Sequence, residues 1–258
     1  MWGRLRRQVY RLRHRRDWLP TCSRLADGRS IALTFDDGPS PASTPLLLEV
    51  LRAKRVRAAF FLNGARAERR PELVEAIVRH GHDVFPHGYD HIRLDALPDE
   101  DLVGQIDRCE QVLRRHRPTP RPYFVRLPYG SGHDDPRVHR ALRRWRPDCR
   151  IAHWGYSLED FRLAEGCATQ DELERRVAAA VDAAFASPRF RGAVVLLHEE
   201  PFDVDAPLAA DVAPMLARAL LDRASRTGLQ TASPAQPAAF ASRAPKPGRL
   251  VAFRLGEA

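Results

Sequence analysis

The sequence predicts an α/β protein whose parallel sheet closes into a distorted (β/α) barrel of about seven strands. Short apolar runs with strand character alternate along the chain with segments that have helical spacing. This alternation indicates parallel strands joined by right-handed helical crossovers. Seven strands suit a closed or nearly closed barrel better than an open sheet. Reactive polar side chains follow several of these strands, as they do at the mouth of a parallel barrel.

The predicted strands and helices take turns from residue 30 onwards. Residues 31–35 are typical of a buried strand, and Gly38-Pro39 stops it. We expect strands at residues 30–35, 57–62, 82–86, 122–126, 150–155, 193–198 and 229–232. We expect helices at residues 43–54, 71–80, 98–116, 135–146, 169–187 and 207–227.

Two of the helices have clear sequence signals. In the segment 98–116, apolar side chains recur at helical spacing, at Leu102, Ile106, Cys109 and Leu113. In the segment 71–80, Pro71 stands in the first turn, where proline is tolerated, and Gly81 ends the helix.

Length and composition indicate one large domain with a full core. The chain has 258 residues, of which 44% are apolar. It contains no run of about 18 apolar residues and no apolar segment after its basic start, so neither a membrane span nor a secretory signal is predicted. Its four cysteines are widely spaced and form no C-x-x-C pair, which predicts free thiols. We therefore expect a cytoplasmic protein, with a peripheral membrane location as the alternative.

The positive charge is concentrated in an N-terminal arm, residues 1–28. Eight arginines and one acidic residue among residues 1–25 account for +7 of the net charge of +9. The rest of the chain is nearly neutral, so binding to nucleic acid is not expected. Trp2, Leu5, Val9 and Leu12 recur at spacings of three, four and three, which indicates a short basic amphipathic helix.

This arm has two interpretations. Residues 1–20 could lie on an anionic membrane surface, and deleting them should then abolish binding to anionic vesicles. Alternatively, the apolar stripe packs on the surface of the barrel. Beyond the arm we expect the main domain at residues 29–232 and a Pro/Ala-rich tail at residues 233–258. The sequence leaves the oligomeric state open.

Adjacent carboxylates and a histidine pair predict a metal site. Asp36 and Asp37 end the first predicted strand, where two like charges are costly unless a positive charge lies between them. His87 and His91 stand four residues apart, so on a helical turn they share one face. One carboxylate and two imidazoles leave a coordination position for water, as in metal-assisted hydrolysis. The alternative for the histidines is two loop residues with local hydrogen bonds.

Three further residues follow predicted strands or lie near them. Arg126 ends the fourth strand and could hold a catalytic carboxylate, or it could be a surface residue in a turn. His198 ends the sixth strand and is either a core residue or a proton donor facing the pocket. Asp160 could orient such a histidine, or it could be an acidic residue at a helix start.

Five motifs in a fixed order carry a family resemblance. They are Thr34-Phe35-Asp36-Asp37-Gly38-Pro39, the His87/His91 pair, Arg126-x-Pro128-x-Gly130, the segment from Trp154 to Asp160, and Leu196-x-His198. Together they resemble the polysaccharide deacetylase family, the NodB-homology group known as carbohydrate esterase family 4. The resemblance covers roughly residues 29–232 and implies that this segment is a NodB-like catalytic domain with a distorted (β/α) barrel.

The resemblance also implies an activity and a role for each motif residue. The activity is metal-dependent removal of acetyl groups from N-acetylated sugars. The implied roles are metal ligation by Asp37, His87 and His91, general base for Asp36, orientation of Asp36 by Arg126, oxyanion binding by the backbone N–H of Tyr129, and general acid for His198 tuned by Asp160. Zn²⁺ suits these ligands, as do Co²⁺, Mn²⁺ and Ni²⁺.

The chain departs from the family pattern at three positions. Gly88 stands where the family usually has Ser or Thr, Phe161 where a Trp commonly lines the groove, and Ser157 where Asp is common. The departures bear on substrate shape more than on the reaction.

Several substrates and activities stay open at this stage. The expected partner is an N-acetylated carbohydrate, either an oligo- or polysaccharide or a lipid-linked sugar. The same site could serve an O-acetyl esterase or a hydrolase of a non-sugar amide or imide. A non-catalytic carbohydrate-binding module is a further alternative, against which the retained acid and base residues argue.

Overall fold

Eight parallel strands lie at the centre of the computed structural model, which describes residues 18–200 and 206–233. The strands are β1 (Thr21–Cys22), β2 (Ala32–Asp36), β3 (Ala59–Leu62), β4 (Asp83–Pro86), β5 (Tyr123–Val125), β6 (Cys149–Ala152), β7 (Tyr156–Ser157) and β8 (Val194–His198). The α-helices are α1 (Thr44–Lys54), α2 (Gly64–Arg69), α3 (Pro71–Arg79), α4 (Gly104–Leu113), α5 (Pro136–Trp145), α6 (Gln170–Ala186) and α7 (Val212–Thr227).

The strands form two sheets that meet edge to edge. The five-stranded sheet has the order β4-β3-β2-β8-β7, and the three-stranded sheet has the order β1-β6-β5. At one junction the backbone N–H of Arg126 donates to the carbonyl oxygen of Pro86 over 3.2 Å. At the other, the backbone N–H of Val194 donates to the carbonyl oxygen of Ser23 over 3.1 Å. The predicted fold class, a distorted parallel (β/α) barrel, is therefore confirmed.

Strand β2 sets the position of the first motif. It lies in the middle of the larger sheet and is buried along its whole length. A strand that is covered on both faces is apolar throughout rather than alternating, which is why its sequence signal is strong. The parallel register pairs Asp36 with Phe61 on β3 and with His198 on β8. The end of β2 thus brings a carboxylate beside an imidazole that is 162 positions away in the chain.

Apolar packing holds the barrel from inside and outside. Phe61, Phe85 and Phe124 fill the interior, with ring centroids 5.4 and 5.5 Å apart along the series. Outside the sheet, buried leucines such as Leu51 of α1 and Leu216 of α7 pack against it. Each large apolar side chain buried in this way contributes about 1.5–3 kcal/mol. The mouth residues therefore stand on a rigid support.

The observed strands differ from the predicted ones at three places. Strands β1 and β7 were not predicted, because two residues are too few to show any periodicity. The strand predicted at 229–232 is wrong, since only an isolated bridge between Ile31 and Thr231 forms there. The bridge still holds the chain against β2, because Ala232 donates its N–H to the Ile31 carbonyl oxygen over 2.9 Å.

The helices differ from expectation mainly around residues 98–116. The chain from Pro98 forms consecutive turns, in which Asp101 donates to Pro98 and Gly104 donates to Asp101, each over 3.1 Å. The α-helix begins only at Gly104 and ends at Leu113. Helix α2, at residues 64–69, was not predicted, and it begins where the Asn63 side chain accepts a hydrogen bond from the Arg66 N–H.

The end of the N-terminal arm belongs to the barrel. Leu19 is buried, and its N–H donates to His139 Nδ1 on α5 over 3.1 Å. Thr21–Cys22 pairs with β6. Residues 18–28 therefore pack against the main domain rather than standing apart from it. The predicted amphipathic helix at the start of the arm lies outside the described residues, as does the predicted tail apart from Ser233.

Two further expectations concern the described part of the chain. None of its helices combines the length and the apolar character that crossing a bilayer would require. The four cysteines are unpaired, as predicted, and all four are buried.

Candidate active site

The carboxyl ends of four strands bring the predicted site residues to one mouth of the barrel. Asp36 ends β2 and His198 ends β8, while His87 directly follows β4 and Arg126 directly follows β5. Because these strands are parallel, their carboxyl ends lie on the same face. The residues named from the sequence are all within the described ranges, and the mouth brings them together.

Asp37, His87 and His91 form a cluster that could hold one metal ion. Asp37 Oδ1 lies 3.3 Å from His87 Nε2 and 3.0 Å from His91 Nε2. One ligand atom from each residue falls within 4.8 Å of the other two. Asp37 Oδ1 is buried and has no hydrogen-bond partner among the described residues. A buried carboxylate oxygen is costly when nothing compensates it, and a cation shared with the two imidazoles would do so.

Two of the three cluster residues have uncommon backbone conformations. Asp37 and His91 have φ values of 70° and 55°, in the left-handed region that non-glycine residues rarely adopt. Such conformations cost free energy and cluster at functional sites. His87 is fixed differently, through a contact of 3.0 Å between its Nδ1 and the Arg126 carbonyl oxygen. An Nδ1–H that donates to this carbonyl leaves the Nε2 lone pair facing Asp37.

The charges of this cluster favour a cation. Burial works against the ionised form of Asp37, but the imidazoles of His87 and His91 outweigh it and hold the pKa of Asp37 well below its usual value. Burial likewise opposes the charged form of His87, yet the carboxylates of Asp36 and Asp37 raise the pKa of His87. Both shifts have the same cause, the close approach of carboxylates and imidazoles at this point of the mouth.

Asp36 is held by a buried ion pair. Arg126 Nη1 donates to Asp36 Oδ1 over 2.6 Å and lies 2.7 Å from Thr34 Oγ1. The Arg126 side chain is fully buried, and its guanidinium group lies 4.0 Å from the centroid of the Phe61 ring. Burial lowers the pKa of Arg126, while Asp36 acts in the opposite direction. This pairing leaves Asp36 Oδ2 on the side of His87 Nε2, at 3.6 Å.

His198 is oriented by Asp160. The Asp160 carboxylate contacts His198 twice, with Oδ2 accepting from the backbone N–H over 2.6 Å and Oδ1 lying 2.9 Å from Nδ1. Burial opposes the charged imidazole, but the Asp160 carboxylate, with smaller contributions from Asp37 and Asp36, outweighs it, and the pKa of His198 rises to about 9. Asp160 is itself buried at the start of a 3₁₀ turn, Asp160–Arg162. The imidazolium form is therefore the stable one at neutral pH.

Tyr129 lies at the rim of the mouth. It belongs to a 3₁₀ turn, Pro128–Gly130, and has a left-handed φ of 57°. Its ring centroid lies 4.5 Å from that of His91, and 55% of the residue is exposed. The Tyr129 ring thus packs beside the histidine cluster while much of the residue stays exposed to solvent.

Glu199 belongs to the site and was missed in the sequence. It is fully buried directly after His198, and its side chain lies against Gly38 and Thr44. A Cβ at Gly38 would lie 1.6 Å from Glu199 Oε1, so any larger residue in the turn after Asp37 would force the Glu199 side chain to move. The sequence does show a charged residue after an apolar strand, which could have indicated a residue near the mouth. It does not indicate on which side of the mouth the carboxyl group lies.

Comparisons with known proteins identify the family of this chain. A family model described as polysaccharide deacetylase matches residues 24–144. A chitooligosaccharide deacetylase of Sinorhizobium fredii is 34% identical over 184 residues, which are 71% of this chain and 78% of that relative. The chain belongs to the polysaccharide deacetylase family. The family resemblance stated from the sequence is therefore confirmed.

Solved structures share the fold. A peptidoglycan N-acetylglucosamine deacetylase has a TM-score of 0.67 and 26% identity, covering 85% of this chain and 92% of its own. The chitin deacetylase of the fungal pathogen Colletotrichum lindemuthianum has a TM-score of 0.65 and 25% identity, covering 83% and 88%. Both are named as deacetylases, one of peptidoglycan N-acetylglucosamine and one of chitin, and the fold of this chain matches most of each.

Proposed function

We propose that this protein is a metal-dependent hydrolase that removes N-acetyl groups from an amino-sugar-containing substrate. The observation that carries the proposal is the buried Asp37 Oδ1, which lacks a hydrogen-bond partner in the described chain and faces two imidazole nitrogens at 3.3 and 3.0 Å. A second carboxylate and a protonated imidazole stand at the same mouth. A metal site flanked by a base and an acid is what amide hydrolysis requires.

Asp37, His87 and His91 are the proposed metal ligands. Two imidazole nitrogens and one carboxylate oxygen are a common catalytic zinc set, and three protein ligands leave a further position open. We therefore take Zn²⁺ as the metal, with Co²⁺, Mn²⁺ and Ni²⁺ as ions that the same donors accept. When bound, the ion supplies positive charge that lowers the pKa of water and polarises a carbonyl group.

Asp36 is the proposed general base. It is adjacent to the metal ligand Asp37 but is paired with Arg126, which leaves Oδ2 available toward the cluster. An ionised carboxylate held at this point can take a proton from the attacking water. Arg126 is its positioning residue, because the 2.6 Å contact fixes the carboxylate plane.

His198 is the proposed general acid, and Asp160 tunes it. The amine that leaves an amide is a poor leaving group unless it is protonated. A pKa of about 9 keeps His198 charged at neutral pH and ready to give that proton. Base and acid then hold opposite protonation states at one pH, because one is a carboxylate and the other an imidazole beside a carboxylate.

Tyr129 is the proposed oxyanion donor. The family motif Arg126-x-Pro128-x-Gly130 implies this role for the Tyr129 backbone N–H, and the centroid of the Tyr129 ring lies 4.5 Å from that of the His91 ring. A donor of this kind stabilises the negative charge of the tetrahedral intermediate by a few kcal/mol.

The substrate is tested by a panel of acetylated compounds. We expect equal amounts of acetate and free amine from N-acetylglucosamine oligomers or peptidoglycan fragments, and neither product after the metal is removed with a chelator. Zinc added back to the same sample should restore both. Acetate released only from O-acetylated sugars would favour the esterase, whereas sugar binding without any release would favour a non-catalytic module.

We propose that the membrane contact predicted for residues 1–20 is made by residues 1–17. Residues 18–20 lie in the packed part of the chain and run beside the N-terminal end of β6, because the next residue, Thr21, pairs in parallel with Ile151. Exposed Arg143 and Arg144 stand near that end, and Arg146 lies over Tyr123 at the start of β5. We propose that this basic end of the barrel and the arm face an anionic surface, while the mouth points away from it.

Vesicle sedimentation tests this contact. Deleting residues 1–17 should reduce binding to phosphatidylglycerol vesicles and leave the fold unchanged by circular dichroism. Binding that persists undiminished in the shortened protein would contradict it. The cytoplasmic location stays a prediction of the sequence.

A further inference from the structure

The two histidines of the proposed metal site are held in different ways. His87 has a second contact, at 3.0 Å, between Nδ1 and the Arg126 carbonyl oxygen. Within residues 18–200 and 206–233, the Nδ1 of His91 has no comparable partner. Metal-binding histidines usually donate their other ring N–H to an acceptor that fixes the ring. Besides its contacts with Asp37 and the Tyr129 ring, the position of His91 depends on the backbone of residues 88–91, which we call the histidine loop.

The histidine loop is bonded to two helices through its backbone. On one side, Gly64 and Ala65 of α2 donate their N–H groups to the carbonyl oxygens of Gly88 and Tyr89, over 2.9 and 3.0 Å. These two bonds satisfy carbonyl groups of the loop. These two bonds do not involve the N–H groups of the loop. The N–H groups therefore need other acceptors, and those acceptors influence the direction in which the backbone reaches His91.

One side chain of α4 fixes those N–H groups. Gln105 Oε1 accepts from the backbone N–H of Tyr89 over 3.1 Å and from that of Asp90 over 2.8 Å. Gln105 Nε2 donates to Asp90 Oδ2 over 3.0 Å. The Gln105 side-chain amide thus forms hydrogen bonds with both residues that precede His91. Arg108, one turn further along the helix, lies over the Tyr89 ring at 3.5 Å, so the same helix face holds the loop twice.

The loop needs this support because its own residues offer little. Gly88 has a φ of 83°, and it carries no side chain that could hydrogen-bond within the loop. His91 is in the left-handed region with φ 55°, which costs free energy unless its surroundings impose it. Gln105 can impose this conformation, because its side-chain oxygen accepts hydrogen bonds from the N–H groups of both residues that precede His91.

We infer that Gln105 is a positioning residue for the metal ligand His91. It acts through the backbone of the histidine loop and touches neither the metal site nor the substrate. The inference rests on the proposed metal site, and it assigns the preorganisation of one ligand to a helix residue outside the family motifs named above. Residues that hydrogen-bond directly to a metal ligand typically change metal affinity by 10- to 100-fold when replaced, and Gln105 acts one residue further away, through the backbone.

The test is zinc affinity, measured by competition with a chromogenic chelator on the full chain. Gln105→Leu keeps the size of the side chain and removes its acceptor, and we expect it to raise the zinc Kd by about tenfold or more. Gln111→Leu is the matched control. Gln111 lies on the same helix and donates to Asp107 over 2.7 Å rather than to the histidine loop, so the zinc Kd of this variant should stay within twofold of the parent.

A conservative pair separates positioning from general damage. Gln105→Glu keeps an acceptor for the two N–H groups but places a carboxylate against Asp90 and should weaken zinc binding. Adding Asp90→Asn reverses the polarity of that contact, since the new amide donates to Glu, and should bring the Kd back to within threefold. If circular dichroism shows that Gln105→Leu does not fold, Gln105→Glu and the double variant with Asp90→Asn still test the inference.

Two results would overturn the inference about Gln105 and leave the proposed function standing. One is a Kd for Gln105→Leu within twofold of the parent, and the other is an equal loss in Gln111→Leu. If the parent protein itself binds no zinc or other divalent ion, the proposed function fails first and the inference falls with it. The parent titration therefore distinguishes the two failures.

Discussion

Replacing Asp36 with asparagine should lower kcat by about 10²- to 10⁴-fold and leave zinc bound. The asparagine has nearly the same shape, and its amide oxygen can still accept from Arg126 Nη1, but it cannot take a proton from water. Zinc should stay because Asp36 is paired with Arg126, over 2.6 Å, rather than placed among the ligands. The measurements are kcat on an N-acetylglucosamine oligomer and the zinc Kd of the same preparation.

Asp37→Asn is the matched control for this prediction, since it removes the neighbouring carboxylate. We expect it to lose zinc as well as activity. Asp36→Asn also leaves a fully buried Arg126 without its counter-charge, so its stability will fall, and both variants should be compared well below their Tm. Full activity in Asp36→Asn, or an equal loss of zinc in both variants, would contradict the division of roles between the two carboxylates.

Replacing Asp160 with asparagine should move the basic limb of the pH–rate profile downward by more than one pH unit. Burial lowers the pKa of His198, and the Asp160 carboxylate is the main group that raises it to about 9. A general acid works only in its protonated form, so activity is present below that pKa and is lost as the pH rises through it. Without the carboxylate, burial is opposed less, and the loss should begin at lower pH.

The check is kcat between pH 5.5 and 9.5 for the parent, Asp160→Asn and Glu159→Gln. Glu159 is the exposed neighbour on the same turn, and its replacement should leave the profile in place. His198→Ala should lower kcat by about 10²- to 10⁴-fold across the range. An unchanged basic limb in Asp160→Asn would mean that Asp160 only supports the fold and does not set the proton affinity of His198.

The sequence predicted the parts of this molecule that have long or repeated signals. The apolar run before Asp36 predicted a buried strand, and the parallel register then accounts for its approach to His198. The order of reactive residues after the strands predicted one mouth, because parallel strands share the direction of their carboxyl ends. Family motifs named the individual residues within it.

The remaining features depend on contacts that leave no periodic signal. Strand β1 has two residues and exists because β6 lies beside it. Gln105 resembles any half-exposed helix residue until the loop that it bonds is seen in space. The position of Glu199 could not be predicted because its side chain packs against Gly38, which is distant in the chain. Such long-range polar contacts become visible when tertiary structure sets them side by side.

The most direct test of the account is a crystal structure of the zinc-loaded protein with anomalous data collected at the zinc edge. We expect one strong peak at the mouth, about 2.0–2.2 Å from a carboxylate oxygen of Asp37 and from Nε2 of His87 and His91. Asp36 should remain paired with Arg126 and stay outside that coordination sphere. A zinc-saturated crystal with no peak among these three side chains, or with its peak at another site, would contradict the account.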